Sequence, residues 1–485
     1  MRLFHVIAFL LIIQVLSAQK RFTAQQLQSD FIILEKAYKS LHPGLYKYAD
    51  SATVNRYFAD CRNTLSNDQT LPATYLAIMK LTAQLQCGHS YPNFYNQEGD
   101  VKAMFEQKNC LPFQFRLVDN RLIVTRSAAD NVPVGSDIRT INGVPVKTII
   151  QTMLPLVRAD GNNDGKRLKL LEISGQRYEY FDVLLPLLFP GNVPDFTLTM
   201  TNPGSKKNVT TRVDALKHTD RDALITAKYT LPKRVPGRFN WLDTETAVLQ
   251  INTFANWDNT FDFSTFYDAA VKDFNQKNGQ NLIIDIRQNE GGDSKMGHQL
   301  IRHLITSPIE INEQQDCWAY VSIDSTLSPY IDNQWAYSYR YRNTADFDRL
   351  PSGQYRAKKG SGARRIEPHP NHLTGRVFLL TSATNSSAAW QFVTAMKEHK
   401  LATLVGQTTG GNQKGITAGA LFFMKLPNTG IEVDVPLIGM NYAEAAKRPN
   451  AGLAPDVYVR PTVDALMQGT DQEIDQVKTL IARKK

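Results

Sequence analysis

Cysteine is scarce in this chain: Cys61, Cys87, Cys110 and Cys317 are the only four in 485 residues. That is too few for a disulfide scaffold, and it leaves either one or two bridges or free buried thiols. Zinc-ligand spacing is missing too. Cys87 and His89 form neither a zinc framework nor a nucleophile–base pair, so no metal is expected, and no cofactor motif is present. Lys and Arg outnumber Asp and Glu by 55 to 46, a formal charge of +9. No basic run interleaved with aromatics accompanies that excess, so no nucleic-acid partner is expected and the charge reads as scattered over a surface. A solenoid-like internal repeat is absent. Nothing suggests disorder, since 42% of residues are hydrophobic and 21% charged.

One apolar run stands out, Val6 to Leu16 in "MRLFHVIAFLLIIQVLSAQKRF". It is too short to span a bilayer. Arg2 before it and Ser17–Ala18 after it give the charged start and small-residue cut of a signal peptide covering residues 1–18. No Cys lies near the cut, so no lipid anchor is expected. The mature protein is expected to be exported, periplasmic or extracellular, without stable membrane insertion.

The length implies about two or three domains. Residues 22–105 read as a helical domain: Thr23 caps a helix carrying Leu27, Phe31, Leu34, Tyr38 and Leu41, and "HPG" stops it. A second helix follows Ser51. A third starts near Pro72 and ends at Gly88, a residue suited to the left-handed close of a helix. His89 then falls in a loop that could face a cleft. Residues 110–215 read as short alternating strands with a helical insertion over 164–188. Residues 235–462 alternate strands and helices, with "NLIIDIR" as a strand buried on both faces. "ALFFMKLPNTGIEVDVPL" is a hairpin, and 463–485 is a helical tail.

Two strand–turn–helix units carry the chemistry. In "GRVFLLTSATNSSAAWQF", Ser387 opens a helix, where free backbone N–H groups and the dipole favour a nucleophile and a developing oxyanion. Ser386 reads as the helix cap, and Ser382 lies by the strand. In "NLIIDIRQNEGGD", Gly291–Gly292 lets a backbone N–H approach a ligand, as an oxyanion hole requires.

These segments, followed in order by "LVGQTTGG" and "GLAPDVYVRPTVDALMQGTDQEID", resemble the C-terminal processing (tail-specific) serine peptidases. That broad family includes the tricorn protease core and interphotoreceptor retinoid-binding protein. The resemblance covers about 235–480. "GSDIRTINGVPV" looks like the family's PDZ-like module. It implies a multidomain α+β fold: an N-terminal helical cap, a small PDZ-like β domain and an α/β (ClpP/crotonase-like) catalytic core. It also implies a serine peptidase acting on polypeptides. Ser387 would be the nucleophile, with Ala388 and one of Gly291 and Gly292 as the oxyanion hole. Trp390 stands where the family has an acidic residue. The family uses two bases. Lys414 in "GGNQKGI" matches the lysine of one branch. His89 in "CGHSY" matches the histidine of the other, with Ser90 beside it and Glu444 as the orienting acid; Glu432 and Asp434 compete for that last role. His89 is favoured. His298 and His303 read as structural. A non-catalytic binding protein of the same fold and a hydrolase of non-peptide esters are the rival readings.

Overall fold

The computed structural model describes residues 20–190, 194–231, 234–311, 315–358, 364–441 and 445–483. Residues 1–18, read as a signal peptide, lie outside them, as does Glu444. Thr23 forms a capping box with Gln26 and opens helix Ala24–Leu41, whose apolar side chains at helical spacing are buried. Asp50 caps Ser51–Thr64, and Thr70 caps Leu71–Gln84 with Pro72 in its first turn. The chain reverses at Gln86, whose φ is 55°, and not at Gly88. Gly88 has another reason to be glycine: a Cβ there would lie 2.7 Å from Asp160 Oδ2.

Strands Phe113–Val118, Arg121–Ser127, Asp137–Ile141, Asp195–Thr201 and Asn208–Asp214 follow one another across an antiparallel sheet. The single helix expected over 164–188 is two, Asp164–Leu171 and Tyr180–Leu188. Between them Ile173 pairs with Phe115 and Gly175 takes φ 89°, so a tertiary bridge and a left-handed residue break the helical pattern.

The third part is a six-stranded sheet in the order Val457–Tyr458, Thr403–Gly406, Arg376–Thr381, Asn281–Asp285, Thr246–Ile251, Gly237–Trp241. All neighbours are parallel except the last pair. Strand Asn281–Asp285 is buried throughout, with Leu282 and Ile284 on one face and Ile283 on the other. Helices Phe263–Gln276, Ser294–Arg302 and Ser387–Glu398 cover the first face, and Gln472–Ala482 covers the second. Parallel strands with helices on both faces present their loops at the carboxyl edge, where such sheets bind ligands.

The hairpin Ile416–Lys425/Glu432–Asn441 stands apart from this sheet. It joins Phe347–Arg349, Tyr355–Ala357 and Gln315–Trp318 in a separate five-stranded sheet. Its apolar side chains share one cluster with the N-terminal helices. Asp30 accepts hydrogen bonds from the N–H groups of Asn428 and Thr429, which fixes the turn. Among the described residues no helix is long and apolar enough to cross a membrane.

Candidate active site

The turns after strands Asn281–Asp285 and Arg376–Thr381 meet at the carboxyl edge of the sheet. Asn385, fully buried, staples them: its Nδ2 donates to Ile286 O (2.6 Å) and Asn289 O (3.0 Å), and its Oδ1 accepts from Ser382 N (2.7 Å). Ser386 occupies the cap position but does not cap. Its hydroxyl donates to Glu290 O at 3.1 Å.

Ser387 opens the helix at φ 51°, a left-handed conformation that costs a non-glycine residue about 1–2 kcal/mol. The strain holds the side chain at the surface of the turn, partly exposed and with no hydrogen bond among the described residues. Gly291 faces it at contact distance. A Cβ on Gly291 would lie 2.8 Å from Ser387 Cβ and 3.1 Å from Ala388 N. Gly291 N–H is already committed to Asn289 Oδ1 at 2.9 Å. Among the described residues the amides of Ala388 and Gly292 donate to no protein acceptor, so these two remain for an oxyanion.

A charged cluster absent from the sequence reading surrounds the junction. Lys166, on the Asp164–Leu171 helix, has a side chain only 4% exposed. Its ammonium donates to Glu290 Oε1 (2.7 Å), Thr384 O (3.2 Å) and Ser386 Oγ (3.2 Å). Arg158 donates to the Gly88 carbonyl, lies 3.5 Å from Glu290 Oε1 and stacks over Tyr91. Burial pushes the Glu290 carboxyl up, but Lys166 and Arg158 reverse this and hold it at about 2. Because 43% of the Glu290 side chain is exposed, solvent screens that attraction and the pair adds little stability. The sequence signals for these residues were faint: Glu290 stands directly before the glycine pair, and Arg158, Asp160 and Lys166 sit in one Gly/Asn-rich connection.

His89 joins the same cluster. Burial lowers its pKa; Asp160 and Glu290 oppose the shift, and Arg158 and Lys166 add to it. Its Nδ1 is buried and has no hydrogen-bond partner among the described residues. No hydrogen bond joins His89 to Ser387 among the described residues; Glu290 and Lys166 stand between the two segments. Ser90, next to His89 in the chain, lies 3.1 Å from His42 Nε2. Glu444 is outside the described residues. Asp434 accepts from Asn93 and Asn96, and Glu432 N–H donates to Gln97 Oε1, so the hairpin carboxylates belong to the 93–97 loop. Lys414 is half-buried; its backbone N–H donates to Asn412 Oδ1, and its ammonium makes no bond among the described residues. Trp390 is fully buried against Gly411, where a Cβ would strike its ring.

All four cysteines are free and buried. Burial pushes the Cys87 thiol up to about 12, which makes it inert as a nucleophile. Two donor sets lie close enough to hold a metal ion, Cys87/His89/Asp160 and Asp268/His303/His369. In the second, Asp268 and both histidines already hydrogen-bond to Asn371. In the 110–115 segment the Cys110 and Phe115 amides are committed to Leu216 O and Ile173 O.

Residues 245–459 match the model of peptidase family S41. Mature CPAF complexed with lactacystin superposes with a TM-score of 0.63 at 15% identity, covering 95% of this chain and 98% of that chain. A second structure of mature CPAF gives 0.61 at 17% identity, covering 95% and 97%. These likenesses show a shared fold along nearly all of both chains. The photosystem II D1 C-terminal processing protease gives 0.40 at 15% identity, covering 89% and 93%. No curated protein sequence matches the chain.

Proposed function

We propose that this chain, whose residues 245–459 match the model of peptidase family S41, is an exported serine endopeptidase cutting proteins or peptides through an acyl-enzyme on Ser387. The observation carrying this reading is the strained helix start: Ser387 at φ 51°, beside the uncommitted Ala388 amide and against Gly291. In the proposed cycle His89 takes the Ser387 hydroxyl proton as Oγ bonds to the scissile carbonyl carbon. The carbonyl electron pair moves onto oxygen, and the Ala388 and Gly292 N–H groups donate to that oxyanion. Collapse restores the C=O and expels the amine, which takes the proton from His89. Water, deprotonated by His89, then attacks the ester, and Ser387 is regenerated with release of the acid. Lowering of the His89 pKa by burial supports the base role, because it favours the neutral ring that can accept the Ser387 proton.

The 110–215 segment is proposed as a PDZ-like docking module. Strand Asn208–Asp214, largely exposed and at the end of its sheet, is the edge to which a peptide would add.

The test is casein hydrolysis and fluorophosphonate labelling by the mature protein and by Ser387→Ala, His89→Ala and Lys414→Ala. Loss in the first two with retention in Lys414→Ala is expected. Loss in Lys414→Ala with an active His89→Ala would reassign the base. A wild-type protein that labels and cleaves esters but no peptide would be an esterase. One that neither labels nor cleaves would be a binding protein.

A further inference from the structure

We propose that Asp160 is the positioning residue of the site: it orients the His89 ring and balances the imidazolium formed when Ser387 is deprotonated. The inference rests on the peptidase reading above. It gives to a residue of the 157–163 connection the role that the sequence resemblance assigned to Glu444.

One Asp160 carboxylate oxygen, one His89 ring nitrogen and the Cys87 sulfur lie within 4.8 Å of one another. Asp160 is only 2% exposed. A carboxylate at that depth needs compensation, through either hydrogen bonds or a cation. Among the described residues its side chain accepts a single hydrogen bond, from Gly88 N–H at 2.9 Å, and forms no ion pair. The compensation still owed is what an imidazolium supplies. The complementary debt is on His89, whose buried Nδ1 has no partner. A ring that accepts a proton at one nitrogen needs an acceptor for the N–H at the other.

Competing groups are committed elsewhere. The charged and titratable groups that face His89 are Asp160, Glu290, Arg158, Lys166 and His42. Glu290 is held by Lys166 at 2.7 Å and by Arg158 at 3.5 Å. Arg158 and Lys166 are cations and cannot accept. The Cys87 thiol, at about 12, is too weak an acid to serve as counter-charge. Lys47 faces Asp160, but its ammonium donates to Ile416 O.

The backbone around Asp160 is clamped as an orienting group requires. Gly161 N–H donates to Gln86 O at 2.8 Å, and Asp160 O accepts from Asn412 Nδ2 at 3.1 Å. Gly161 takes φ 61° in a space that a side chain would fill with Asn412 and Asn450. Gly88, next to His89, has no room for a Cβ because Asp160 occupies it. Asp160 is thereby fixed both to the turn carrying His89 and to the 407–415 loop.

The experiment compares wild type, Asp160→Asn, Asp160→Glu and Glu444→Gln in peptide hydrolysis and melting, with the His89 titration followed by NMR of histidine-labelled protein. Asp160→Asn should lower kcat by about 10³–10⁴-fold, as removing a triad carboxylate does, with KM within about 3-fold. The His89 midpoint should move to lower pH, and Asp160→Glu should restore part of both. If Asp160→Asn does not fold, wild type still decides: protonated His89 should show a downfield Nδ1–H resonance, and its absence refutes the contact. An Asp160→Asn protein with near-normal kcat and an unmoved His89 midpoint overturns the proposal, as does Glu444→Gln taking both effects instead. A midpoint that moves in a protein where Ser387 neither labels nor cleaves supports the Asp160–His89 coupling and removes the peptidase reading alone.

Discussion

Gly291→Ala tests the closest contact in the site. The added methyl would lie 2.8 Å from Ser387 Cβ, 2.9 Å from Ser386 O and 3.1 Å from Ala388 N, at a backbone φ of 125°. Two costs follow. The backbone conformation costs an L-residue about 1–3 kcal/mol, and forcing a methyl into a packed junction costs about 1–3 kcal/mol more. The sum, roughly 2–6 kcal/mol, should lower Tm by about 2–6 °C for a cooperative unit of 485 residues. Relief requires the Ser386–Ala388 segment to retreat, which takes Ser387 out of line. A displacement of about 1 Å costs on the order of 10²-fold in rate. Fluorophosphonate labelling of Ser387 should therefore slow by at least that factor, and kcat should fall more than KM rises. Gly353→Ala is the control: φ is 84° there, but a Cβ would meet nothing within 4 Å. It should cost about 1 kcal/mol and leave labelling unchanged. A Gly291→Ala protein with wild-type labelling and Tm would refute the contact.

Asn385→Ala leaves Asn289 O and Ser382 N without their buried partner, while Ile286 O keeps the Asn289 N–H at 2.8 Å. It should cost about 2–6 kcal/mol, read by chemical denaturation, at about 1–3 kcal/mol for each of the two orphaned groups. Burial holds His42 at about 3, below its ordinary 6.5. The folded state then binds fewer protons than the unfolded one between those values, so stability falls as pH falls through that window, by at most about 1.4 kcal/mol per pH unit. Melting curves of His42→Gln should show a shallower acid slope than wild type; an identical slope refutes the assignment. With four buried free thiols, native protein should resist iodoacetamide, take four labels once denatured, and keep its Tm in reductant. A shift with reductant would mean that a disulfide is present.

Local chemistry was legible in the sequence. Thr23 and Gln26 announce a helix start, and "NLIID" reads as a doubly covered strand because every side chain is apolar or terminal. Both strand–turn–helix units were found for the same reason: glycine and serine at a turn are one-dimensional signals. The rest needed distance. Gly88 looked like a helix stop, yet its constraint is Asp160, 72 positions away in the chain. Lys166 reaches Ser386 across 220 positions. No spacing rule reports such a contact, because the two groups share no periodicity. The split of 164–188 into two helices was hidden likewise, since Ile173 leaves the helical path to pair with Phe115.

The segment matching family S41 begins at residue 245, whereas His89, Arg158, Asp160 and Lys166 all precede it. Expressed alone, it would carry Ser387 and the Gly292 amide but no proposed base, and nothing to hold Glu290. Its chemistry would then be half a device, with a strained serine that no imidazole can deprotonate. The two halves share one apolar cluster, in which the hairpin 416–441 packs with the N-terminal helices, and beside it Lys166 holds Glu290 and Ser386 while Arg158 joins Gly88 to Glu290. A condition that parts them must therefore open that shared core as well as the charged cluster. Proteolytic competence would then report the integrity of that shared core, not of the six-stranded sheet alone.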